Sequence, residues 1–277
     1  MAERNIRLVL AYDGTDFEGW QVQSRGRTVQ GVLEEGLERM HGHPVRVLAA
    51  GRTDSGVHAT GQVASFRTDI ASIPGYRFRD AVNAYLPKDV RVVSSDAVAW
   101  EFHARRSARQ RVYRYYTVCG PVLLPHLRAY RHWMRRSPDL ARLNEMAAVL
   151  VGEHDFTCFS AEGDANHSKV RRVDVSVFHR EGDTLVYTIA ATSFLWKMVR
   201  TIMGTLFLLE EQGMGARELR LIMEAGSRAN AGATAPAKGL FLERVVYDPG
   251  SAVEEEPVED PEPPGGLAHD GLFPPAP

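Results

Sequence analysis

The sequence predicts an α+β fold in which two tandem ferredoxin-like halves, each β-α-β-β-α-β, form one antiparallel sheet with a central cleft. Three observations carry this expectation. Several short stretches alternate apolar and polar residues, the period of a half-buried strand. Between them lie segments with apolar residues three and four apart, opened by capping residues. The order of these segments recurs in the second part of the chain without a detectable sequence repeat.

In the first half, residues 5–12 place Ile6, Leu8, Leu10 and Tyr12 on one face of a strand. A glycine-rich loop follows, Asp13-Gly14-Thr15-Asp16-Phe17-Glu18-Gly19-Trp20, too irregular to be a phosphate-binding fingerprint. Thr28 is the predicted N-cap of a helix reaching Met40, with Val32, Leu33, Gly36, Leu37 and Met40 on its apolar face. Strands are predicted over 45–49 and 57–67, a helix over 76–86 stopped by Pro87, and a strand over 90–99.

The second half opens with a strand over 111–119 that carries Tyr113, Tyr115 and Tyr116. Ser137-Pro138-Asp139 predicts a helix start with Ser137 as N-cap, running to about Val151. Residues 169–178 and 184–191 read as a hairpin. A long helix is expected from Phe194 to Glu211, a shorter one from Ala216 to Ala225, and a last strand over 239–247. The predicted organisation is residues 1–108, residues 109–247, and a disordered acidic, proline-rich tail over 248–277. That tail holds eight acids, no Lys or Arg, and eight of the fifteen prolines.

Charge narrows the function. Removing the eight tail acids from the total of 35 leaves 27 against 33 basic residues, a body of +6. From Phe102 to Arg136 there are nine arginines and no acid. A solvated face usually mixes signs, so a one-sign run interleaved with tyrosines favours a phosphate-rich partner. No stretch is long and apolar enough for a membrane span. The N-terminus shows no signal-peptide pattern. Cys119 and Cys158 are isolated from each other and from histidines, as in a reduced cytoplasmic protein without a metal site.

The stretch Ala50-Gly51-Arg52-Thr53-Asp54-Ser55-Gly56-Val57-His58 packs an Arg, an Asp, two hydroxyls and two glycines between two strands. A plain hairpin needs only two turn residues. Thr-Asp-Ser-Gly is itself a good turn, with the Asp bonding its own backbone. The functional alternative is an ionised carboxylate beside a guanidinium, fit to act as nucleophile or general base. Elsewhere, Lys197 and Arg200 lie three apart on an otherwise apolar helix and so are expected on one face. A cation on a buried helix needs an anion; a structural acid would serve, and Asp54 is the sharper proposal. Tyr113 is either core or a ring that stacks on a base. His58 and His103 stand alone, without the spacing of metal ligands.

Taken together, these residues resemble the TruA family of tRNA pseudouridine synthases over residues 4–248. The resemblance rests on Tyr12-Asp13-Gly14-Thr15 with Gly19-Trp20-Gln21, on Gly51-Arg52-Thr53-Asp54-Ser55-Gly56-Val57-His58, on Phe102-His103-Ala104-Arg105, on 111–115, on Met198-Val199-Arg200, and on 235–240. It implies that Asp54 is the catalytic aspartate, that Arg52 helps hold a flipped nucleotide, that Tyr113 lies against the target base, and that Arg200 is the ionic partner of Asp54. Arg105, Arg111 and His58 are the further expected substrate contacts. It also implies isomerisation of uridine at positions 38 to 40 in the anticodon arm of tRNA, by a homodimer that needs no metal or nucleotide cofactor. Lys197, where many members carry His or Asn, and the acidic tail depart from the family pattern. Two rivals remain at this stage. One is a non-catalytic RNA-binding protein using the same Arg/Tyr surface; the other is a metal-dependent RNA phosphodiesterase built on Asp13, Asp16, Asp54 and His58.

Overall fold

In the computed structural model, which describes residues 3–250, the first half lays down β1 (Arg4–Tyr12), α1 (Val29–His41), β2 (Val47–Ala49), β3 (His58–Thr68), α2 (Phe78–Asn83) and β4 (Val90–Val98). The second half contributes β5 (Gln110–Cys119), β6 (His132–Met134), α3 (Leu140–Val149), β7 (Gly152–Asp155), β8 (Val170–Glu181), β9 (Thr184–Ala191), α4 (Met198–Glu211), α5 (Ala216–Ala225) and β10 (Leu240–Val246). All ten strands join one sheet, ordered β4-β1-β3-β10-β5-β9-β8-β7, with β2 on β3 and β6 on β5. Each half thus threads its four main strands in the ferredoxin-like way, β4-β1-β3-β2 and β10-β5-β9-β8. The expected acidic tail falls, from residue 251 on, outside the described residues. Among the described residues no helix is long and apolar enough to cross a membrane.

The sheet is antiparallel except at two places. The junction between the halves is parallel: Phe241 and Leu242 of β10 pair with His58 and Ala59 of β3. The short β6 also runs parallel to β5. One edge of β3 is therefore shared, with β10 on its first residues and β2 on Ala64 to Phe66. Gly61 marks the changeover, where a Cβ would sit 2.3 Å from the Glu243 carbonyl oxygen. The other edge of β10 lies antiparallel on β5, so β10 binds one half to the other.

Helices cover one face. Thr28 caps α1 as expected, its hydroxyl accepting the Gly31 N–H at 3.2 Å, and Gly42 closes the helix at φ 77°. Leu33 and Leu37 of α1 are buried with Ile6, Leu8, Leu10 and Phe66 of the sheet. In the second half Leu143, Met146, Ile202 and Leu206 join Tyr115 and Tyr187 in the same continuous core. Each such side chain contributes about 1.5–3 kcal/mol on burial. A smaller cluster of Ala50, Val63, Val98, Phe102 and Ala104 forms apart from this core.

The helix starts differ from expectation at two points. Asp139, not Ser137, caps α3, accepting the N–H groups of Ala141 and Arg142 at 2.9 and 3.2 Å. A carboxylate two residues past Ser137 serves better, and the Ser137 hydroxyl instead takes a hydrogen bond from Arg180. The long helix begins at Met198 rather than Phe194, because Lys197 adopts a left-handed conformation (φ 60°, ψ 6°). Lys197 and Arg200 therefore do not share a helical face, contrary to the reading from their spacing. The expected helix over 76–86 shrinks to a single tight turn, Gly75–Arg77, followed by α2. β6 and β7, three and four residues long, are too short for a period of two to register.

Candidate active site

The loop between β2 and β3 carries Asp54, and its backbone is tied from three directions. Trp20 donates its N–H to the Thr53 carbonyl at 3.0 Å, and Gly56 and Ser55 donate to the Phe17 carbonyl. The Tyr12 hydroxyl meets Thr53 Oγ1 at 2.8 Å; burial pushes the Tyr12 phenol up to about 12, keeping it neutral. Gln62 donates to the Gly51 carbonyl at 2.8 Å, and the turn closes with Val57 N–H on the Asp54 carbonyl. The residue 13–20 loop is thus the cradle of the Asp54 loop. Its glycines are where the backbones meet: a Cβ on Gly14 would lie 2.1 Å from the Val57 oxygen, and one on Gly19 would lie 2.7 Å from the Thr53 oxygen.

Asp54 Oδ2 accepts a hydrogen bond from Arg200 Nη1 at 3.0 Å, and the two side chains are only 17% and 15% exposed. Arg200 sits on the first turn of α4, in the other half of the chain. Its Nε donates to the Ala235 carbonyl at 2.9 Å, while the Ala235 N–H returns to the Arg200 carbonyl at 3.0 Å. Helix α4 is pressed onto this segment so closely that a Cβ on Gly204 would lie 1.7 Å from the Ala233 oxygen. The guanidinium is therefore held on two sides with its fork aimed at the carboxylate, a charge-assisted bond in a partly desolvated place. Tyr113, on β5, is 7% exposed and packs edge-on against Phe194 at 5.1 Å. Burial, then the neighbouring Tyr12 and Asp54, raise its phenol well above the ordinary range. Its neighbours on either side already have partners, with the Tyr12 hydroxyl on Thr53 and the Tyr115 hydroxyl on the Pro236 carbonyl.

The other predicted site residues divide. Arg52 and Arg105 are exposed, and Arg52 leaves the pairing with Asp54 to Arg200. Arg111 is buried, and its guanidinium donates to the carbonyls of Ala50, Arg105, Ala108 and Thr192. It staples the start of the Asp54 loop to the link between the halves, so its donors face backbone rather than the open side of the site. His58 is also buried, with a side chain 1% exposed. Its Nδ1 accepts the Gly14 N–H at 3.0 Å and its Nε2 donates to the Ala129 carbonyl at 3.1 Å. Its ring stacks on Phe241 at 4.6 Å. Burial lowers its pKa, which favours this neutral tautomer.

Folding also breaks up the arginine run. Acids from distant parts of the chain reach a stretch that the sequence shows as acid-free: Glu243 pairs with Arg114, Glu210 with Arg136, and Asp248 with Arg109. Arg131 lies 4.1 Å over the Tyr116 ring. Arg105, Arg106, Arg128 and Arg135 remain exposed.

One contact near the site, that of Tyr130 with Asp13, was missed from sequence. Asp13 accepts from the Tyr130 hydroxyl at 2.6 Å and from the Thr15 hydroxyl at 2.6 Å, and lies 3.2 Å from His58 Nδ1. It joins the cradle loop to the segment after β5. The Asp13-Gly14 pair inside an otherwise irregular loop was the only signal available. Of the four groups of the phosphodiesterase rival, Asp13 and His58 meet at 3.2 Å, but Asp54 does not join them. Asp54 faces Arg200, Asp13 faces Tyr130 and Thr15, and among the described residues no three His, Cys, Asp or Glu side chains gather as a metal would need.

The fold thus joins a ferredoxin-like pair edge to edge, with an arginine-held aspartate between the halves and an aromatic ring beside it. The profile of tRNA pseudouridine synthases matches residues 8–105 and 146–248, and the chain belongs to this family, the TruA family. It is 46% identical over 250 residues to a tRNA pseudouridine synthase A of Treponema denticola, covering 88% of this chain and 93% of that one. A protein of the same name from Lysinibacillus sphaericus is 41% identical over 246 residues, 88% of this chain and all of its own. One from Brachyspira hyodysenteriae is 37% identical over 244 residues, covering 88% and 98%. Pseudouridine synthases are isomerases, and the chain is an enzyme of that class.

Proposed function

We propose that this protein isomerises uridine to pseudouridine in the anticodon stem-loop of tRNA, at positions 38 to 40, with Asp54 as the catalytic carboxylate. The observation that carries the reading is the Arg200–Asp54 pair at the seam between the halves. The reaction breaks the bond between uracil and ribose, turns the base, and joins ribose to carbon. It needs no net oxidation and no phosphoryl transfer. What it needs is a carboxylate fixed in place, able to act as nucleophile or base, and a means of holding the detached uracil. Arg200 and the cradle loop fix Asp54; Tyr113 offers a ring face to the base. A base in a stem is stacked and out of reach, so it must be extruded first. The exposed Arg52 and Arg105 would take the phosphates flanking the extruded nucleotide. On the strength of family membership, the reading also includes a cofactor-free homodimer acting in the cytoplasm.

The test is nucleoside analysis of unmodified tRNA incubated with the purified protein, followed by mapping of the modified positions. Pseudouridine at 38, 39 or 40 is expected, and none with Asp54→Asn, an amide of equal size. Tight binding of tRNA without pseudouridine would instead favour a non-catalytic RNA-binding protein.

A further inference from the structure

The turn that launches α4 is held by a carboxylate outside the site described so far. Asp164, in the loop between β7 and β8, has a side chain only 1% exposed. Its Oδ2 accepts the Trp196 N–H at 2.7 Å and the Ser160 hydroxyl at 3.1 Å. Its Oδ1 accepts the Asn166 N–H at 2.8 Å and the Asn166 amide at 2.6 Å, and pairs with Lys169 Nζ at 3.2 Å. A second tie runs beside it, Ala161 N–H to the Trp196 carbonyl at 2.9 Å. Burial alone would raise the Asp164 pKa, but the donors from Asn166, Trp196 and Lys169 outweigh it and hold the carboxyl well below the ordinary range.

Immediately after Trp196 comes Lys197, the one non-glycine residue with positive φ among the described residues. An L-residue in this conformation carries a steric cost. It persists only where the surroundings over-determine it. The next residues are the first turn of α4, and the Thr201 N–H takes the Lys197 carbonyl at 2.9 Å. Arg200 lies on that turn. The linkage is continuous: Asp164 to the Trp196 backbone, Trp196 to the left-handed Lys197, Lys197 to the start of α4, and Arg200 to Asp54.

We propose that Asp164 is a positioning residue for catalysis, setting the Trp196–Lys197 turn so that Arg200 meets Asp54. This rests on the reading of Asp54 given above. Asp164→Asn keeps the shape but puts an NH2 where one pair of donors now points, and it removes the anion facing Lys169. Its kcat for pseudouridine formation should fall about ten- to hundredfold, the scale for a reacting group misplaced by about an ångström, with KM for tRNA changed less than threefold. Adding Lys197→Gly removes the steric cost of the left-handed turn, so the double variant should recover most of the lost kcat. A merely structural Asp164 predicts otherwise: kcat falls only with the folded fraction, and Lys197→Gly raises thermal stability without restoring kcat. Either result overturns the proposal, as does an unchanged kcat in Asp164→Asn.

A readout independent of activity is the side-chain Nε–H signal of Arg200 by NMR. It should be protected from exchange in the wild type by the Ala235 carbonyl and exposed in Asp164→Asn; an unchanged signal overturns the proposal. If the wild type makes no pseudouridine, the functional reading fails while the Arg200 signal still decides this one.

Discussion

Arg200 and Asp54 stand 146 positions apart in sequence and 3.0 Å apart in space. Neither half of the chain possesses the site alone. The carboxylate comes from the loop before β3, the cation from the start of α4, and the Tyr113 ring from β5, so the proposed chemistry depends on the two halves holding a fixed relation.

Removing the cation should tell on stability and rate together. Arg200→Ala leaves Asp54 partly buried without its partner and the Ala235 carbonyl without its donor. A loss of about 1–3 kcal/mol is expected, given the unpaired-group penalty, with activity falling well beyond the folded fraction. Lys restores charge without the fork, so Arg200→Lys should be intermediate. Urea midpoints and turnover measured on the same preparations check both; full activity in Arg200→Ala would contradict the pairing's role.

Gly14 and Gly51 should behave oppositely. Gly14→Ala drives a methyl group to 2.1 Å from the Val57 oxygen, and backbone must move to admit it. A cost of about 1–3 kcal/mol is expected, as for overpacked positions. Gly51→Ala meets nothing within 4 Å and should leave the urea midpoint unchanged.

Tyr113 is buried enough that Tyr113→Ala would confound packing with function. Tyr113→Leu keeps most of the volume and removes the aromatic face. It should lower kcat/KM by a factor equivalent to about 1–3 kcal/mol, the worth of one base–aromatic stack. Tyr113→Phe should retain base handling. Equal loss in the Phe and Leu variants would place the role in the hydroxyl instead.

RNA affinity should fall steeply with added salt through release of counterions. Arg128→Glu with Arg135→Glu should raise Kd and flatten the salt slope, while turnover at saturating RNA stays near wild type. Arg136→Glu should instead destabilise the fold, because Arg136 pairs with the buried Glu210. Binding isotherms at several salt concentrations distinguish these cases.

Mild acid should weaken the fold through its buried histidines. Burial lowers the pKa of His58, and of His132 and His103, below the ordinary 6.5. Below about pH 6.5 the unfolded chain therefore takes up protons that the folded chain refuses, and stability declines as pH falls. The exposed His43 is raised by its Pro44 and Asp69 partners and works weakly the other way. The net expectation is a lower urea midpoint at pH 5 than at pH 7. His58→Asn should shrink that difference; a midpoint that rises toward pH 5 would count against the burial argument.

Much of this site was legible in the residues. The density of polar and glycine residues around Asp54 stood out against a plain hairpin, and the cation at Arg200 on an apolar helix demanded an anion. The strand alternation placed Tyr113, and Thr28 marked the start of α1. What stayed hidden depends on contacts remote in sequence. Arg111 looks like its neighbours in the arginine run, and only the fold brings four carbonyls around it. The run's apparent purity dissolves because Glu210, Glu243 and Asp248 arrive from afar. Lys197 carries no local mark of positive φ, since no glycine or asparagine stands there; the buried Asp164 imposes it. The parallel seam between β3 and β10 is likewise invisible to period-two patterns, which report burial and not direction.

That seam has a consequence for how the chain comes into being. Among the described residues β10 is the last strand made and the only one that touches both halves' central strands, β3 and β5. Until residues 240–246 are synthesised, a growing chain presents two bare strand edges, the kind of surface that recruits other chains. Late in that interval Asp54 and Arg200 are both already made, but the β3–β10 and β10–β5 pairings that lock the two halves edge to edge are still missing. The β10-facing edges of β3 and β5 therefore stay open to mispairing until this strand is added. A truncation that stops short of Leu240 should yield insoluble material and not a weakened enzyme.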